Sequence, residues 1–155
     1  MNNKELIERY PFLRRRNLWT DELIENDEYT KLDEMPMGWR RAFGEEMCEE
    51  ILQVLIKYDC VDLYRITQIK EKYGTLRWYC NHPNGTYTEI NQIIDKYYEK
   101  SKRICVVCGE PATKEALRWL SPYCDGCVPT DEPNMDIEDY WEEVKKDAES
   151  ISSGL

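Results

Sequence analysis

The 155-residue chain has little histidine and none of the common catalytic motifs. Its one histidine, His82, excludes most catalytic triads and dyads, which need a histidine base. There is no Gly-rich phosphate loop, no HExxH motif and no nucleophile elbow. A zinc-deaminase pattern is missing too, because no HxE precedes the cysteines and Pro122 lies two residues before Cys124. We therefore predict a protein that is not an enzyme, with an unrecognised carboxylate site as the remaining enzymatic alternative.

Long apolar runs are also absent. No segment approaches the ~20 apolar residues of a membrane-spanning helix. The N-terminal sequence MNNKELIERYPFLRRRN contains no secretory leader. Charged residues make up 34% of the chain, which is typical of a highly soluble surface. We expect no association with membranes.

Four of the seven cysteines form two CxxC pairs. The pairs, Cys105 with Cys108 and Cys124 with Cys127, are separated by 15 residues, which matches the spacing of a four-cysteine zinc site. Soft sulfur ligands favour zinc, with iron as the lesser alternative, and two redox motifs or two disulfides are the competing interpretation. Because four thiolates close the coordination sphere, we predict that these cysteines hold a structural Zn²⁺ ion. Gly109 follows the first pair, where we expect the backbone to need a positive φ.

The other three cysteines, Cys48, Cys60 and Cys80, lie outside the pairs. Free thiols beside a thiolate metal site are typical of a reducing compartment, so we expect the protein in the cytoplasm. Cys80 is close to His82 in the sequence, but two ligands do not complete a metal site. We expect Cys80 to pack in the core and His82 to lie in a turn.

The net charge of −10 is concentrated in two flanking segments. Residues 17–36 carry seven acidic residues against one lysine, a net −6. Residues 128–155 carry nine against two lysines, a net −7, whereas residues 1–16 are net +3. An acidic field repels nucleic-acid phosphates and attracts basic protein surfaces.

Hydrophobic periodicity predicts the main helices and one hairpin. Apolar residues at three- and four-residue steps indicate a helix over residues 38–58, and an acidic helix is expected over residues 136–150. Alternation on both sides of a turn near Gly74 predicts an antiparallel hairpin. A further helix follows the loop NHPNG, with Thr86 and Glu89 as its capping box.

The remaining stretches give expectations about packing. Residues 17–37 are predicted to be an irregular or briefly helical segment that packs on the core through four apolar side chains, Leu18, Trp19, Leu23 and Ile24. Residues 116–120, between the cysteine pairs, are expected to form a strand, with Trp119 covering the metal hairpin.

Together these patterns predict an α+β fold, with helices packed on a short antiparallel hairpin and a C-terminal zinc-ribbon module built on the four paired cysteines. We divide the chain into an N-terminal helix with an acidic segment (1–37), an α+β core (38–104), a zinc ribbon (105–127) and an acidic C-terminal helix (128–155).

Three stretches carry a resemblance to a known family: GWRRAFGEEMCEEI, QIKEKYGTLRWYC and the cysteine pairs that begin at CVVCG. Over residues 36–127 the chain resembles small zinc-ribbon proteins encoded by bacteriophages and prophages, a family mostly of unassigned function. The resemblance implies zinc bound by the four cysteines and supplies no catalytic residue. In size, charge and metal content the chain is also similar to zinc-binding anti-CRISPR inhibitors.

These observations favour a non-enzymatic inhibitor over two other functions. We expect it to bind a basic surface of a host protein in an infected bacterial cell, such as a CRISPR effector nuclease, and to block nucleic-acid loading. Tyr140 and Trp141 are the expected anchors of that contact. The alternative is a zinc-ribbon nucleic-acid-binding protein, and its contacts would come from basic and aromatic residues, namely Lys70, Lys72, Arg77, Trp78 and Arg118.

Overall fold

The computed structural model describes residues 1–25 and 28–154. Asn26 and Asp27, in the predicted N-terminal acidic segment, and Leu155, in the C-terminal one, lie outside the described residues. The helices are α1 (Asn3–Arg9), α2 (Met37–Trp39), α3 (Glu45–Lys57), α4 (Tyr87–Ser101) and α5 (Ile137–Ser153). The strands are β1 (Ile66–Lys72), β2 (Thr75–Cys80), β3 (Lys114–Ala116), β4 (Ser121–Tyr123) and β5 (Asn134–Asp136). They form two antiparallel sheets, β1-β2 and β4-β3-β5, so the predicted mixture of helices and antiparallel strands is confirmed.

The predicted helix over residues 38–58 is confirmed as a continuous run of three segments. α2 leads through a π-helical turn at Arg40–Gly44 into α3. Its apolar stripe is buried, and the stripe consists of Trp39, Phe43, Met47, Ile51 and Leu55. The acidic face of the run is neutralised by ion pairs, which join Glu45 to the N-terminal amine, Glu46 to Lys100, Glu49 to Arg9 and Glu50 to Lys96.

The predicted hairpin is confirmed as β1 and β2. Tyr73 and Gly74 form the two-residue turn, and both have positive φ, as a type I′ turn requires. On one face of the hairpin, Ile69 pairs with Trp78 and both are buried. Trp78 Nε1 donates to the hydroxyl of buried Tyr64 at 2.9 Å, so this polar group is satisfied inside the core.

A hydrophobic core joins elements between Leu6 and Tyr97. It draws apolar side chains from α1, the long helical run, the hairpin and α4. Phe43 stacks against Trp39 and Tyr97, with ring centroids 6.4 and 5.4 Å away. Cys80 packs at the edge of this core, as predicted. Among the described residues, no helix has both the length and the apolar character needed to cross a bilayer.

The prediction that residues 17–37 pack through four apolar side chains is wrong. Leu18 and Trp19 are 75% and 94% exposed, and Leu23 and Ile24 are also exposed. Backbone hydrogen bonding sets the conformation of this segment. An antiparallel β-bridge between Arg16 and Leu23 closes the residues between them into a small loop that projects from the core. The segment is held instead by three other buried residues, Thr30, Leu32 and Met35.

Two predictions about the second half are also corrected. Thr86 does precede α4, but its hydroxyl donates to Pro83 O at 2.8 Å, and Glu89 binds Lys57 and Tyr58, so no capping box forms. The expected strand over residues 116–120 ends at Ala116, and residues 117–120 form a turn. The acidic helix is confirmed as α5, with Asp136 as its N-cap.

Candidate metal centre

The four predicted cysteine ligands lie together at the start of the β4-β3-β5 sheet. One sulfur from each of Cys105, Cys108, Cys124 and Cys127 lies within 4.8 Å of the others. The sulfurs of Cys108 and Cys124 are 3.6 Å apart. Cys105 is fully buried and the other three are half-buried. Four sulfurs this close could hold one metal ion.

Two tight turns position the sulfurs. In the first, Gly109 N donates to Cys105 O at 3.1 Å, and Gly109 has φ +82°, the conformation predicted for this glycine. In the second, the amide nitrogens of Cys127 and Val128 both donate to Cys124 O at 3.1 Å. Each CxxC pair therefore directs both of its thiols to one side of its own turn.

The thiol pKa values differ across the cluster. Burial raises the pKa of Cys105, but backbone N–H groups around Cys108 lower it, and its pKa falls to about 7. Contact with Cys124, together with burial, raises the pKa of Cys127 to about 12. Four thiols at these distances can ionise together only when a positive ion balances their charge.

The metal centre is joined to the core by the beginning of the long helical run. Gly38 N donates to Val106 O, and Trp39 Nε1 donates to Ile104 O, both at 2.8 Å. A Cβ atom on Gly38 would overlap Cys105 O, and one on Gly109 would lie 2.6 Å from Gly38 O. Two glycines therefore let the helix and the first cysteine turn approach backbone to backbone. The sequence indicated the φ requirement of Gly109 but not this contact.

No other metal cluster exists in the part of the chain that the structure describes. No further group of three or more His, Cys, Asp or Glu side chains in residues 1–25 and 28–154 is placed to hold an ion. Cys80 Sγ lies 4.0 Å from His82 Nε2, which itself lies 3.0 Å from Asn91 Oδ1.

The prediction that Trp119 covers the metal hairpin is also wrong. Trp119 is 79% exposed. The amide nitrogens of Arg118 and Trp119 donate to Glu132 Oε1 at 2.8 and 3.2 Å, which holds the turn with the indole ring in solvent. Sequence spacing could not show this, because Glu132 reaches the turn from outside the cysteine pairs.

A buried carboxyl group beneath the sheet was missed by sequence reasoning. Glu115 of β3 is fully buried, and neither carboxyl oxygen has a hydrogen-bond partner among the described residues. Burial, together with the nearby charge of Glu71, raises its pKa to about 8. Glu115 lies against the hairpin turn, since a Cβ on Gly74 would lie 2.6 Å from its Oε1. In the sequence, the only signal that the Glu115 side chain is turned inward would be the alternation of inward and outward side chains along a strand of three residues.

The residues predicted to bind a protein or nucleic-acid partner differ in how far they are exposed. Tyr140 and Trp141 are half-buried and contact each other, with ring centroids 4.9 Å apart. Trp78 is buried, so its predicted role in nucleic-acid stacking is wrong. The four basic residues of that alternative, Lys70, Lys72, Arg77 and Arg118, stay at least partly exposed.

The site that the structure supports is thus a cluster of four cysteines that could hold a metal ion, fixed to a mixed helix-and-sheet fold. No protein-family model, curated protein or solved structure matches the chain significantly.

Proposed function

We propose that this protein is a non-enzymatic, zinc-binding interaction protein that binds a basic surface of a nucleic-acid-handling host protein and inhibits it. The observation that carries the proposal is an exposed tryptophan on a hydrogen-bonded loop within the acidic N-terminal segment. Trp19 is 94% exposed, beside Leu18 at 75%. Large apolar side chains in this state mark protein contact sites, and tryptophan is enriched among the residues that dominate binding energy.

The loop that presents Trp19 is held by hydrogen bonds. Asn17 Oδ1 accepts from the amide nitrogens of Trp19 and Thr20 at 2.8 and 3.1 Å. Asp21 binds Arg65 through two contacts of 2.9 and 3.1 Å, which tie the loop to the residue just before β1. A loop held in this way loses little conformational entropy on binding, and such preorganisation increases affinity.

The charges around Trp19 favour a basic partner. Arg16 and Arg65 are both engaged by Asp21. Glu22 and Glu25, three and six residues after Trp19 in the sequence, are exposed. An apolar centre with an acidic rim complements an apolar pocket with a basic rim, where charge sets the association rate and specificity.

α5 adds a second acidic surface. Its first turns pack through Ile137, Tyr140 and Trp141, and residues 142–154 are exposed. That exposed part carries four carboxylates against two lysines, which are Glu142, Glu143, Asp147 and Glu149 against Lys145 and Lys146. This arm would increase long-range attraction to a basic protein.

The metal in this account is Zn²⁺ with a structural role. Tetrahedral coordination with Zn–S bonds of about 2.3 Å separates sulfurs by about 3.8 Å, close to the observed 3.6 Å. Four thiolates leave no position for water or substrate, so the ion would supply folding energy rather than chemistry. Metal analysis of purified protein tests this; one zinc per chain supports it, and a metal-free folded protein contradicts it.

The size, acidic charge and cysteine cluster of the chain are similar to those of zinc-binding anti-CRISPR inhibitors, so a CRISPR effector nuclease is our candidate for the partner. Such nucleases hold nucleic acid in a positively charged channel. Affinity capture from nuclease-treated bacterial lysate tests the proposal. The expected result is a basic protein that wild type retains, that Trp19→Ala loses, and that the control Tyr87→Ala retains. Tyr87 is also an exposed aromatic, at 65%, and it lies outside the acidic segments. Equal capture by wild type and Trp19→Ala would reject the loop as the contact.

A further inference from the structure

We propose that the outer face of the β1–β2 hairpin, together with the β3–β4 turn, binds single-stranded nucleic acid. This activity goes beyond the proposed protein contact and uses a different surface. The observation behind it is a group of cations without carboxylate partners among the described residues, set between exposed aromatic rings. We call this group the hairpin face, and it consists of Lys70, Lys72, Tyr73, Arg77, Tyr79, Arg118 and Trp119.

The strand register collects the cations of the hairpin on one side. Lys70 pairs directly with Arg77 across the two strands. The alternate residues of both strands, such as Ile69 and Trp78, are buried in the core. Glu71 belongs to that second set, and its Oε1 accepts from Gly74 N at 2.5 Å. The hairpin therefore presents three cations and no carboxylate of its own on the outer side.

Arg77 is preorganised for an anion. Its guanidinium lies 5.6 Å from the ring centroid of Tyr98 on α4. Its Nε is buried and has no acceptor among the described residues. Nε itself is enclosed, but the guanidinium group as a whole has no carboxylate partner among the described residues, so it can pair with a phosphate. A second cation over the same ring, Lys102, differs because it is bound to Glu99.

The aromatic rings of the hairpin face remain open to solvent. Tyr73, Tyr79 and Trp119 are 65%, 44% and 79% exposed. Lys72 Nζ lies 5.6 Å from the ring of Tyr73, and Lys70 Nζ lies 5.8 Å from the ring of Tyr79. Bases that stack on such rings place their phosphates near the adjacent ammonium groups.

The β3–β4 turn continues this surface beyond the hairpin. A Cβ atom on Gly74 would lie 3.5 Å from the carbonyl group of Leu120, so the two turns touch. Trp119 is the residue before Leu120, and Glu132 holds the backbone of this turn. Glu115 and Asp125 are the acidic residues nearest in sequence to this turn. Glu115 is buried, Asp125 Oδ1 accepts from Thr113 Oγ1 at 2.5 Å, and Glu132 is occupied by the turn.

A single strand fits this face better than a duplex. Exposed rings bind bases only when the bases are unstacked, as in single strands. Each cation that contacts a phosphate releases counterions, so affinity should fall as salt is raised. The net charge of −10 opposes phosphate binding, so we expect the affinity to be modest.

The test uses the purified, zinc-loaded full chain and fluorescein-labelled dT12 and rU12 in anisotropy titrations at low salt, with a duplex of equal length as comparison. We expect tighter binding to the single strands. Lys70→Gln with Lys72→Gln should weaken binding and reduce the salt slope by roughly 1.4, since each lost contact contributes about 0.7. Trp119→Ala should weaken binding about fivefold to 100-fold.

The matched control removes two exposed cations elsewhere, through Lys4→Gln with Arg41→Gln. It should leave binding within about twofold of wild type, because counterion release is counted only where phosphates are contacted. All variants change exposed or partly exposed side chains, and circular dichroism checks that each remains folded. No binding at low salt, equal binding of the duplex, or an equal loss in the control would overturn the proposal.

Discussion

Replacing Glu115 with glutamine tests whether the buried carboxyl group lowers the free energy of unfolding as pH rises. An ordinary glutamate titrates near 4.5, whereas Glu115 titrates at about 8 because it is buried and lies near Glu71. The titratable groups that face it from other elements are Glu71 of β1, Tyr123 of β4 and Tyr140 of α5. For both tyrosines, burial is the main cause of a raised pKa, so they stay neutral across the range used below.

The sign of the effect follows from the raised pKa of Glu115. Below pH 4.5 the carboxyl is neutral in both states and its contribution to stability is fully present. Between pH 4.5 and about 8, the unfolded chain releases this proton while the folded chain keeps it, so stability falls as pH rises. Each unit of this interval corresponds to about 1.4 kcal/mol, and the cost approaches about 5 kcal/mol above pH 8.

Glutamine keeps the shape and removes the titration. Between pH 6 and pH 8.5, the free energy of unfolding of wild type should fall by about 2.5 kcal/mol relative to Glu115→Gln. That difference corresponds to roughly 5–10 °C in Tm for a chain of this size. Thermal unfolding followed by circular dichroism, with saturating zinc, measures it. Parallel pH profiles for the two proteins would refute the assignment of a neutral, buried carboxyl to Glu115.

Two further predictions concern the metal centre. Cys124→Ser should release zinc and lower Tm by more than about 10 °C, because structural zinc supplies about 10–16 kcal/mol of apparent binding energy in small sites; Cys80→Ser, outside the cluster, should retain the metal. If Cys124→Ser lost partner binding at unchanged Tm, the cysteine cluster would be part of the partner-binding surface and not only a structural site. Gly38→Ala should cost about 2–3 kcal/mol by overpacking against Cys105 O, whereas Gly126→Ala, whose nearest neighbour is Cys124 Sγ at 4.0 Å, should be near neutral. Equal denaturant midpoints for these two variants would contradict the proposed close contact.

The sequence predicted best where one local signal decided the structure. The CxxC spacing located four sulfurs that do lie together. Period-3.6 and period-2 patterns located α3 and the β1–β2 hairpin, since each pattern has one buried face. In these places local propensity and burial agree.

Prediction failed where hydrogen bonds outside the local pattern set the outcome. Trp19 and Trp119 were expected to pack because they are large and apolar, yet Asn17 and Glu132 hold their backbones in projecting turns. Thr86 matched the capping-box pattern, but its hydroxyl donates to the carbonyl oxygen of Pro83 instead. The hydrophobicity of a side chain predicts whether it is buried. It does not predict which backbone groups a polar side chain will hydrogen-bond.

The same competition left Glu115 unseen. β3 is three residues long, so alternation along it carries little information about which side chain is turned inward. Its burial depends on the hairpin turn at Gly74 and on β4 and β5 to either side. A long-range arrangement of this kind has no signature in a short window of sequence.

The central claim is that the Trp19 loop anchors a basic protein partner. The most direct test measures the affinity of the captured partner for wild type and for Trp19→Ala by isothermal titration calorimetry. Trp19 contributes only its amide to the loop, so alanine keeps the hydrogen bond to Asn17. We predict a loss of at least about 2 kcal/mol, or roughly 30-fold in Kd, with unchanged Tm. Unchanged affinity in the folded variant would contradict the account.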